Sequence, residues 1–496
     1  MTFTRISHFS LFFSSFFFIS STLSSHLYPT SATTPEKDGK TRSLYSEILR
    51  DEAVARLNNL GKVSDADGYL ERTFMSPASV RAGFLIREWM EDAGLRTWVD
   101  SMGNLHGRVE GMNASAQALL IGSHLVMPFD TVVDAGIFDG SLGIISAISA
   151  VKVLKSIGKL GELKRPVEAS YLISDVIAFS DEEGVRFQST FLGSAAVAGI
   201  LPVTALKISD KSGVTVQDAL KGNSIEITED SLLGLKYDPA SIWGYFELHI
   251  EQGPVLEWVG FPLAVVKGIA GQTRMKVTVR GSQGHAGTVP MSMRRDPMAA
   301  AAELIVLLES LCKHPRDFLS SGGNCNEQTL ESLSTSLVCT VGEISTWPSA
   351  SNVIPGQARN SSVTFTVDLR AIDDVGREAV VYELSNQITK NLINFVCCGS
   401  FQHDANAVIC DQELSSRLKS AAYSAVNKMV GQIHEEVPVL MSGAGHDAMA
   451  ISHLTKVGML FVRCRGGISH SPEEHVLEDD VWAAGLAVLA FLESHM

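Results

Sequence analysis

Positively charged side chains are scarce in this 496-residue chain: 40 Lys and Arg stand against 55 Asp and Glu, for a formal charge of -15, and no basic run offsets the deficit. A non-specific grip on nucleic acid needs clustered cations, so nucleic acid is not an expected partner. Cysteine is also sparse. Cys312, Cys325, Cys339, Cys397, Cys398, Cys410 and Cys464 are odd in number, crowd late in the chain and show no C-x-x-C spacing, which argues against a disulfide framework and against zinc-finger ligation. A metal would then have to be held by His and carboxylates. Beyond the first 25 residues no stretch reaches the roughly twenty uninterrupted apolar residues of a membrane span, so no stable membrane span is expected.

What is present at the N-terminus is a targeting pattern. Arg5 precedes the apolar Leu11-Phe12-Phe13 and Phe16-Phe17-Phe18-Ile19, and small Ser/Thr-rich residues suited to cleavage follow. Residues 1–25 read as a signal peptide and 26–42 as a polar linker, which places the mature protein in the endoplasmic reticulum and secretory pathway. A transit peptide is the alternative, since the stretch is rich in serine and lacks acids. Asn113-Ala114-Ser115 and Asn360-Ser361-Ser362 are sequons for glycosylation.

With 45% hydrophobic residues, the chain is long enough to fill two or three cores. Residues 43–60 and 76–94 pattern as amphipathic helices. Ala118 to Gly122 and Val176 to Phe179 read as buried strands, and Ser141 to Leu154 as an apolar helix after a Gly-rich turn. That alternation predicts an α/β fold with a doubly wound sheet. Near Gly271 the texture changes: Met275 to Arg280 and Val363 to Leu369 alternate as half-exposed strands, with a long helix over Pro297 to Cys312. The reading is a larger domain over 43–270 and 401–496, interrupted at 271–400 by a small α+β sandwich. In the last part, 411–430 and 479–494 pattern as helices and Gly458 to Val462 as a buried strand.

The adjacent acids Glu182 and Glu183 close the strand that ends at Phe179, in Ser180-Asp181-Glu182-Glu183-Gly184, and consecutive carboxylates there can divide two tasks. One can hold a metal while the other moves a proton. Four further segments carry candidate ligands: His124, Asp139, His249 and His470. Singly, each His is more often a capping or packed residue; together with the Glu pair they fill every role of a two-metal hydrolytic centre. Asp139 would bridge, with His124 and His249 on one ion and Glu183 and His470 on the other. Glu182 would be the general base and Asp130 would orient the ring of His124. Arg370 reads either as a structural arginine or as a fork for a substrate carboxylate. His446-Asp447 reads as support for the ligands or as a helix N-terminus, and His403, His434 and His475 are assigned to the surface.

Gly122-Ser123-His124, Phe138-Asp139-Gly140-Ser141-Leu142-Gly143, Phe179 through Phe187, His249-Ile250-Glu251-Gln252-Gly253-Pro254 and Gly284-His285-Ala286-Gly287-Thr288 resemble the M20 metallopeptidase family in its hydantoinase/carbamoylase branch, over roughly residues 45–496. The resemblance implies a homodimer with two Mn²⁺ ions per subunit, Zn²⁺ being the other candidate, and an inserted domain that serves as lid and dimerisation module. It assigns the same ligands and base, with His285, Asn352, Arg370, Gly443 and Ala444 on the substrate. Arg186 to Ser194 fits members acting on allantoate, with hydrolysis to ureidoglycine, ammonia and carbon dioxide. A ureidoglycolate or N-carbamoyl-amino-acid amidohydrolase is the alternative.

The chain also departs from the pattern. Val126-Met127-Pro128-Phe129 lengthens the His124–Asp139 spacing, and Ala169 to Asp175, Ala358 to Ser362 and 391–402 look like additional or altered sequence. Either these residues loop outward and spare the site, or they displace His124 or Asp139 and leave a catalytically impaired dimer.

Overall fold

The computed structural model describes residues 43–109, 117–124, 132–161, 173–319, 325–355, 362–391, 396–431 and 433–494. The expected signal peptide and linker, both sequon asparagines, Asp130 and the Val126–Phe129 addition lie outside the described residues. Among the described residues no helix is long and apolar enough to cross a membrane.

Edge strands β1 (Arg96–Val99) and β2 (Leu105–Arg108) lead into β3 (Ala118–His124), β4 (Ile173–Phe179), β5 (Ile242–Ile250) and β6 (Leu263–Ile269). The chain then builds a second sheet region from β7 (Gly271–Arg280), β8 (Gly284–His285), β9 (Val338–Thr340), β10 (Ile344–Thr346), β11 (Val353–Ile354), β12 (Val363–Ala371) and β13 (Val396–Ala405). It returns through β14 (Val408–Ile409), β15 (Val439–Ser442) and β16 (Val457–Val462).

The first sheet runs β1-β2-β4-β3-β5-β16-β6-β14, with β15 also on β6. Its centre, β4-β3-β5-β16, is parallel, whereas β2 meets β4, and β16 and β14 meet β6, antiparallel. The expected doubly wound arrangement therefore forms the middle of a mixed sheet. Strands β3 and β16 are buried throughout, as strands covered on both faces must be. The Ser141–Ser156 and Glu478–Glu493 helices are buried around nearly their whole circumference, and the Phe491 ring of the latter lies tilted against Phe246 of β5, centroids 4.7 Å apart. Parallel pairing has one consequence for function. His124 lies opposite Phe179, and Val462 opposite Ile250, so the carboxyl ends of four strands share one edge.

The expected strand began at Val176, but β4 begins at Ile173. Asp175 is fully buried there and held by Arg108, whose Nε donates to it at 2.6 Å, so Ile173 to Asp175 are strand, not an interruption before it.

The second sheet is antiparallel, β10-β12-β7-β13 with β9 also on β12. Strands β7 and β12 alternate buried and exposed along their length. The buried residues face the Pro297–Lys313 and Asp374–Asn391 helices in a separate apolar cluster, a two-layer α+β arrangement. The first helix starts where Asp296 caps the amide of Met298 at 3.0 Å and Pro297 presets the first turn. Residues 396–402, read as a departure from the family, form part of β13 against β7. Ile269 of β6 pairs with Val408 of β14, so the chain leaves the first sheet and returns to it at one point.

Cysteine usage argued against a disulfide framework; one bond, Cys312–Cys339, is nonetheless present and ties the Pro297–Lys313 helix to β9 across 27 positions of sequence. Odd total and spacing could not reveal a pair brought together by the sheet. Closing a loop of that size stabilises by about 3 to 4 kcal/mol through the unfolded chain. Replacing both cysteines with serine is expected to lower the urea midpoint accordingly, and an unchanged midpoint would refute this.

Candidate metal centre

His124 is the last residue of β3, and Glu182 and Glu183 lie just beyond the end of β4. His249 is the penultimate residue of β5, and His470 sits on the loop after β16. Asp139 lies at the entry to the Ser141–Ser156 helix, where Gly140 has φ +60 and a Cβ would stand 2.2 Å from the carbonyl oxygen of His124. Only glycine lets the two loops approach so closely.

The five side chains predicted as ligands converge. Asp139 divides its carboxylate: Oδ1 is 3.0 Å from His249 Nε2 and 3.5 Å from His124 Nε2, while Oδ2 is 3.1 Å from His470 Nε2. His470 Nε2 lies 3.1 Å from Glu183 Oε1, and the two ring nitrogens of His124 and His249 are 2.9 Å apart. Two sets with ligand geometry result, His124–Asp139–His249 and Asp139–Glu183–His470, sharing Asp139. Donor atoms about 2.1 Å from one cation lie about 3.0 to 3.4 Å from each other at octahedral to tetrahedral angles, and the observed separations fit. His124 and Asp139 lie 3.5 Å apart despite the lengthened spacing between them in sequence.

Electrostatics point the same way. Burial opposes ionisation of Asp139, but the surrounding imidazoles outweigh it and hold the carboxyl well below the usual range. Burial pulls the His124 ring down to about 4. Burial also acts on His249, yet the Asp139 carboxylate overrides it and raises that ring to about 9. Hydrogen bonds to Asp139 and Glu183 raise His470 to about 10. A cation held by the cluster would displace the protons on His249 and His470. His249 Nδ1 donates to the Ile250 carbonyl at 2.9 Å, which turns Nε2 toward the cluster.

Glu182 is buried beside the cluster, its Oε2 3.9 Å from His124 Nε2. Burial first, and the charge of Glu183 second, raise its proton affinity well above that of an ordinary glutamate. A third set, His124–Glu182–Glu183, overlaps the first two. A fourth, Glu247–His249–His446, is already engaged: Glu247 accepts from the Ala448 amide at 2.9 Å and the Tyr245 hydroxyl at 3.1 Å. His446 is bonded to Ser442 Oγ at 2.7 Å, precedes the Asp447–Ile451 helix, and stands edge-on 4.5 Å from the His249 ring. The helix N-terminus reading of His446-Asp447 is what the structure shows, with His446 in ring contact with one predicted ligand.

The predicted substrate residues fall in two places. Arg370 of β12 pairs with both oxygens of Asp368 at 3.0 Å and donates from Nη1 to the Gly443 carbonyl at 2.6 Å. Ala444, next in that loop, donates its amide to Ser442 Oγ at 3.1 Å. His285 and Asn352 are both exposed on the β8–β11 pair, where the Ala286 amide donates to the Asn352 carbonyl at 2.9 Å. Among the described residues no hydrogen bond or ion pair joins them to the cluster. His403 and His434 are exposed as expected; His475 is half-buried, edge-on to Phe138 at 5.9 Å, because its loop folds back under the Asp139 turn.

Three supports were missed. Glu474, buried, accepts from the amides of Phe138 and Asp139 at 2.9 and 3.1 Å, and Ser469 Oγ donates to Asp139 Oδ2 at 3.0 Å. Gln252 Nε2 donates to the same oxygen at 2.9 Å. Gln252 and His470 both have left-handed backbones, at φ 56 and 54, strain of the sort that collects at functional sites. Glu473-Glu474 repeats the paired-acid signal of Glu182-Glu183, and that resemblance was the available clue.

A mixed α/β sheet with this histidine–carboxylate cluster at its carboxyl edge defines a hydrolase of the metallopeptidase type. Residues 121–494 match the model of Peptidase family M20/M25/M40, and the chain belongs to that family. Over 457 residues it is 73% identical to Allantoate deiminase 2 of Glycine max, covering 92% of this chain and 91% of that one. It is 70% identical over 463 residues to Allantoate deiminase of Arabidopsis thaliana, covering 93% and 85%. Among solved structures, an amidase of the hydantoinase/carbamoylase family from Burkholderia multivorans superposes with a TM-score of 0.75 at 25% identity, covering 90% of this chain and 97% of that one.

Proposed function

We propose that the chain hydrolyses a ureido C–N bond of allantoate, giving ureidoglycine, ammonia and carbon dioxide. The divided carboxylate of Asp139, with one oxygen toward each ligand set and Glu182 left beside them, carries the hydrolytic chemistry, and the 70 and 73% identity to plant allantoate deiminases supports the substrate. His124, Asp139 and His249 would hold one Mn²⁺, and Asp139, Glu183 and His470 the second, with Zn²⁺ as the alternative ion. Such ions, when bound, polarise a carbonyl and acidify water.

The chain's own residues do the rest. Glu182, whose burial strengthens its hold on a proton, takes one from the attacking water and returns it to the leaving nitrogen. Asp130 orients the His124 ring, whose buried Nδ1 has no partner among the described residues. The planar fork of Arg370 receives the substrate carboxylate, with Gly443 and Ala444 closing on the other end of the molecule. His285 and Asn352 contact substrate from the second sheet, His285 across a homodimer interface. The 271–400 segment is then lid and dimerisation domain, inserted in the catalytic domain. The apolar N-terminus directs the protein to the endoplasmic reticulum and secretory pathway, a setting in which the Cys312–Cys339 bond would persist.

The test is ammonia release from allantoate by Mn²⁺-reconstituted protein, with ureidoglycolate and N-carbamoyl amino acids in parallel. Turnover of an N-carbamoyl amino acid without any of allantoate would sink the substrate assignment and keep the chemistry. Arg370→Lys is expected to raise KM for allantoate by about 10- to 100-fold, the worth of one charge-assisted pair, while kcat changes less. An unchanged KM would remove Arg370 from the substrate.

A further inference from the structure

The loop bearing Glu182 and Glu183 is backbone-strained: Asp181, Gln188 and Phe191 have positive φ, as does Gly184. Such a loop keeps one shape only when its surroundings over-determine it. Its two stems touch, the Gly193 amide donating to the Ser180 carbonyl at 2.9 Å. A side chain from another part of the sheet reads both stems at once. Asn104, fully buried just before β2, accepts from the Ser180 amide through Oδ1 at 2.9 Å and donates from Nδ2 to the Gly193 carbonyl at 3.2 Å.

Asn104 is itself fixed from behind. Its Nδ2 also donates to Asp100 Oδ2 at 2.8 Å, and Asp100 Oδ1 accepts from the Asn104 amide at 2.9 Å. His106 Nε2, bonded to Asp100 Oδ2 at 3.0 Å, belongs to a ring whose Nδ1 reaches the Tyr237 hydroxyl at 3.0 Å. The amide has one workable orientation, because reversing it would set its oxygen against a carboxylate and a carbonyl. Gly193 shows the fit from the loop side: a Cβ there would stand 2.1 Å from Asn104 Oδ1.

We infer that Asn104 is a positioning residue, a clamp across the stems of the Glu182–Glu183 loop that sets where the metal-binding and proton-carrying carboxylates point. The inference rests on the proposed two-metal reading of that loop. Isosteric Asn104→Asp keeps the acceptor for Ser180 but turns the donor into an oxygen facing Asp100 and Gly193. It is expected to fold and to lose about 10- to 100-fold in Mn²⁺ affinity by calorimetric titration, the scale found for groups behind metal ligands. In the same variant kcat for allantoate should drop about 10- to 100-fold with KM within about threefold, since a displacement of order 1 Å suffices for such a loss. Gly193→Ala crowds both Asn104 Oδ1 and the Ser180 backbone and should act in the same direction, and Asn104→Ser, which shortens the side chain without adding bulk, covers the case in which Asn104→Asp fails to fold. His106→Gln, which loosens the Asp100 carboxylate behind Asn104, should act in the same direction and more weakly. Wild-type Mn²⁺ affinity and kcat in a folded Asn104→Asp, Asn104→Ser or Gly193→Ala protein would overturn the inference. If unaltered protein binds two Mn²⁺ yet leaves allantoate intact, the substrate reading has failed, and the affinity comparison still decides the role of Asn104.

Discussion

Glu182→Gln is expected to reduce kcat by about 10²- to 10⁴-fold, the usual contribution of a positioned acid–base group, while ion content per subunit stays the same. The substitution keeps the volume of a side chain that is 6% exposed and removes only its capacity to take a proton. Glu182 lies near the cluster yet outside the two sets built on Asp139, and burial has strengthened its hold on a proton, which is the environment a proton carrier requires. Its place in the overlapping set with His124 and Glu183 makes elemental analysis essential beside kinetics. Loss of an ion together with activity would make Glu182 a ligand and oblige another group to move the proton.

A larger and different effect is expected of Asp139→Asn. Both oxygens of that carboxylate are engaged: Oδ1 faces His124 and His249, and Oδ2 accepts from Gln252 and Ser469 and meets His470. An amide can offer one of those faces only as a donor, so one ligand set loses its acceptor whichever way the group turns. Ion content after dialysis should fall well below that of the unaltered protein, and kcat/KM should drop by more than about 10³-fold, equivalent to about 4 kcal/mol of lost transition-state stabilisation. Retention of full ion content and activity would show that Asp139 does not serve both sets.

The features readable in advance were those set by local pattern. Residues Ser141 to Ser156 and Glu478 to Glu493 announce helices by apolar content, and β7 and β12 announce a half-exposed sheet by strict alternation. His124, Asp139, Glu183, His249 and His470 could be selected because each lies at or beyond the carboxyl end of a strand or at the entry to a helix, and parallel pairing carries such ends to one edge. What could not be read was whatever depends on distant chain segments meeting. Cys312 finds Cys339 through the second sheet, Glu474 reaches back to the Asp139 turn from beyond β16, and Asn104 meets Ser180 and Gly193 across β2 and β4. Antiparallel edges also escaped notice, because β6 and β14 are short apolar runs that periodicity alone does not orient.

The pairing of Ile269 with Val408 has an evolutionary reading. Because departure and re-entry are neighbouring rungs of one ladder, everything between them is an appendix that can be enlarged, trimmed or traded without re-threading the parent sheet. Arg370 belongs to that appendix, whereas Asp139 and its companions do not. On the proposed reading of Arg370 as the substrate's carboxylate fork, selection could retune which molecule is gripped while the hydrolytic hardware is inherited unaltered, and swapping the span between Ile269 and Val408 among relatives would be the direct test of that reading.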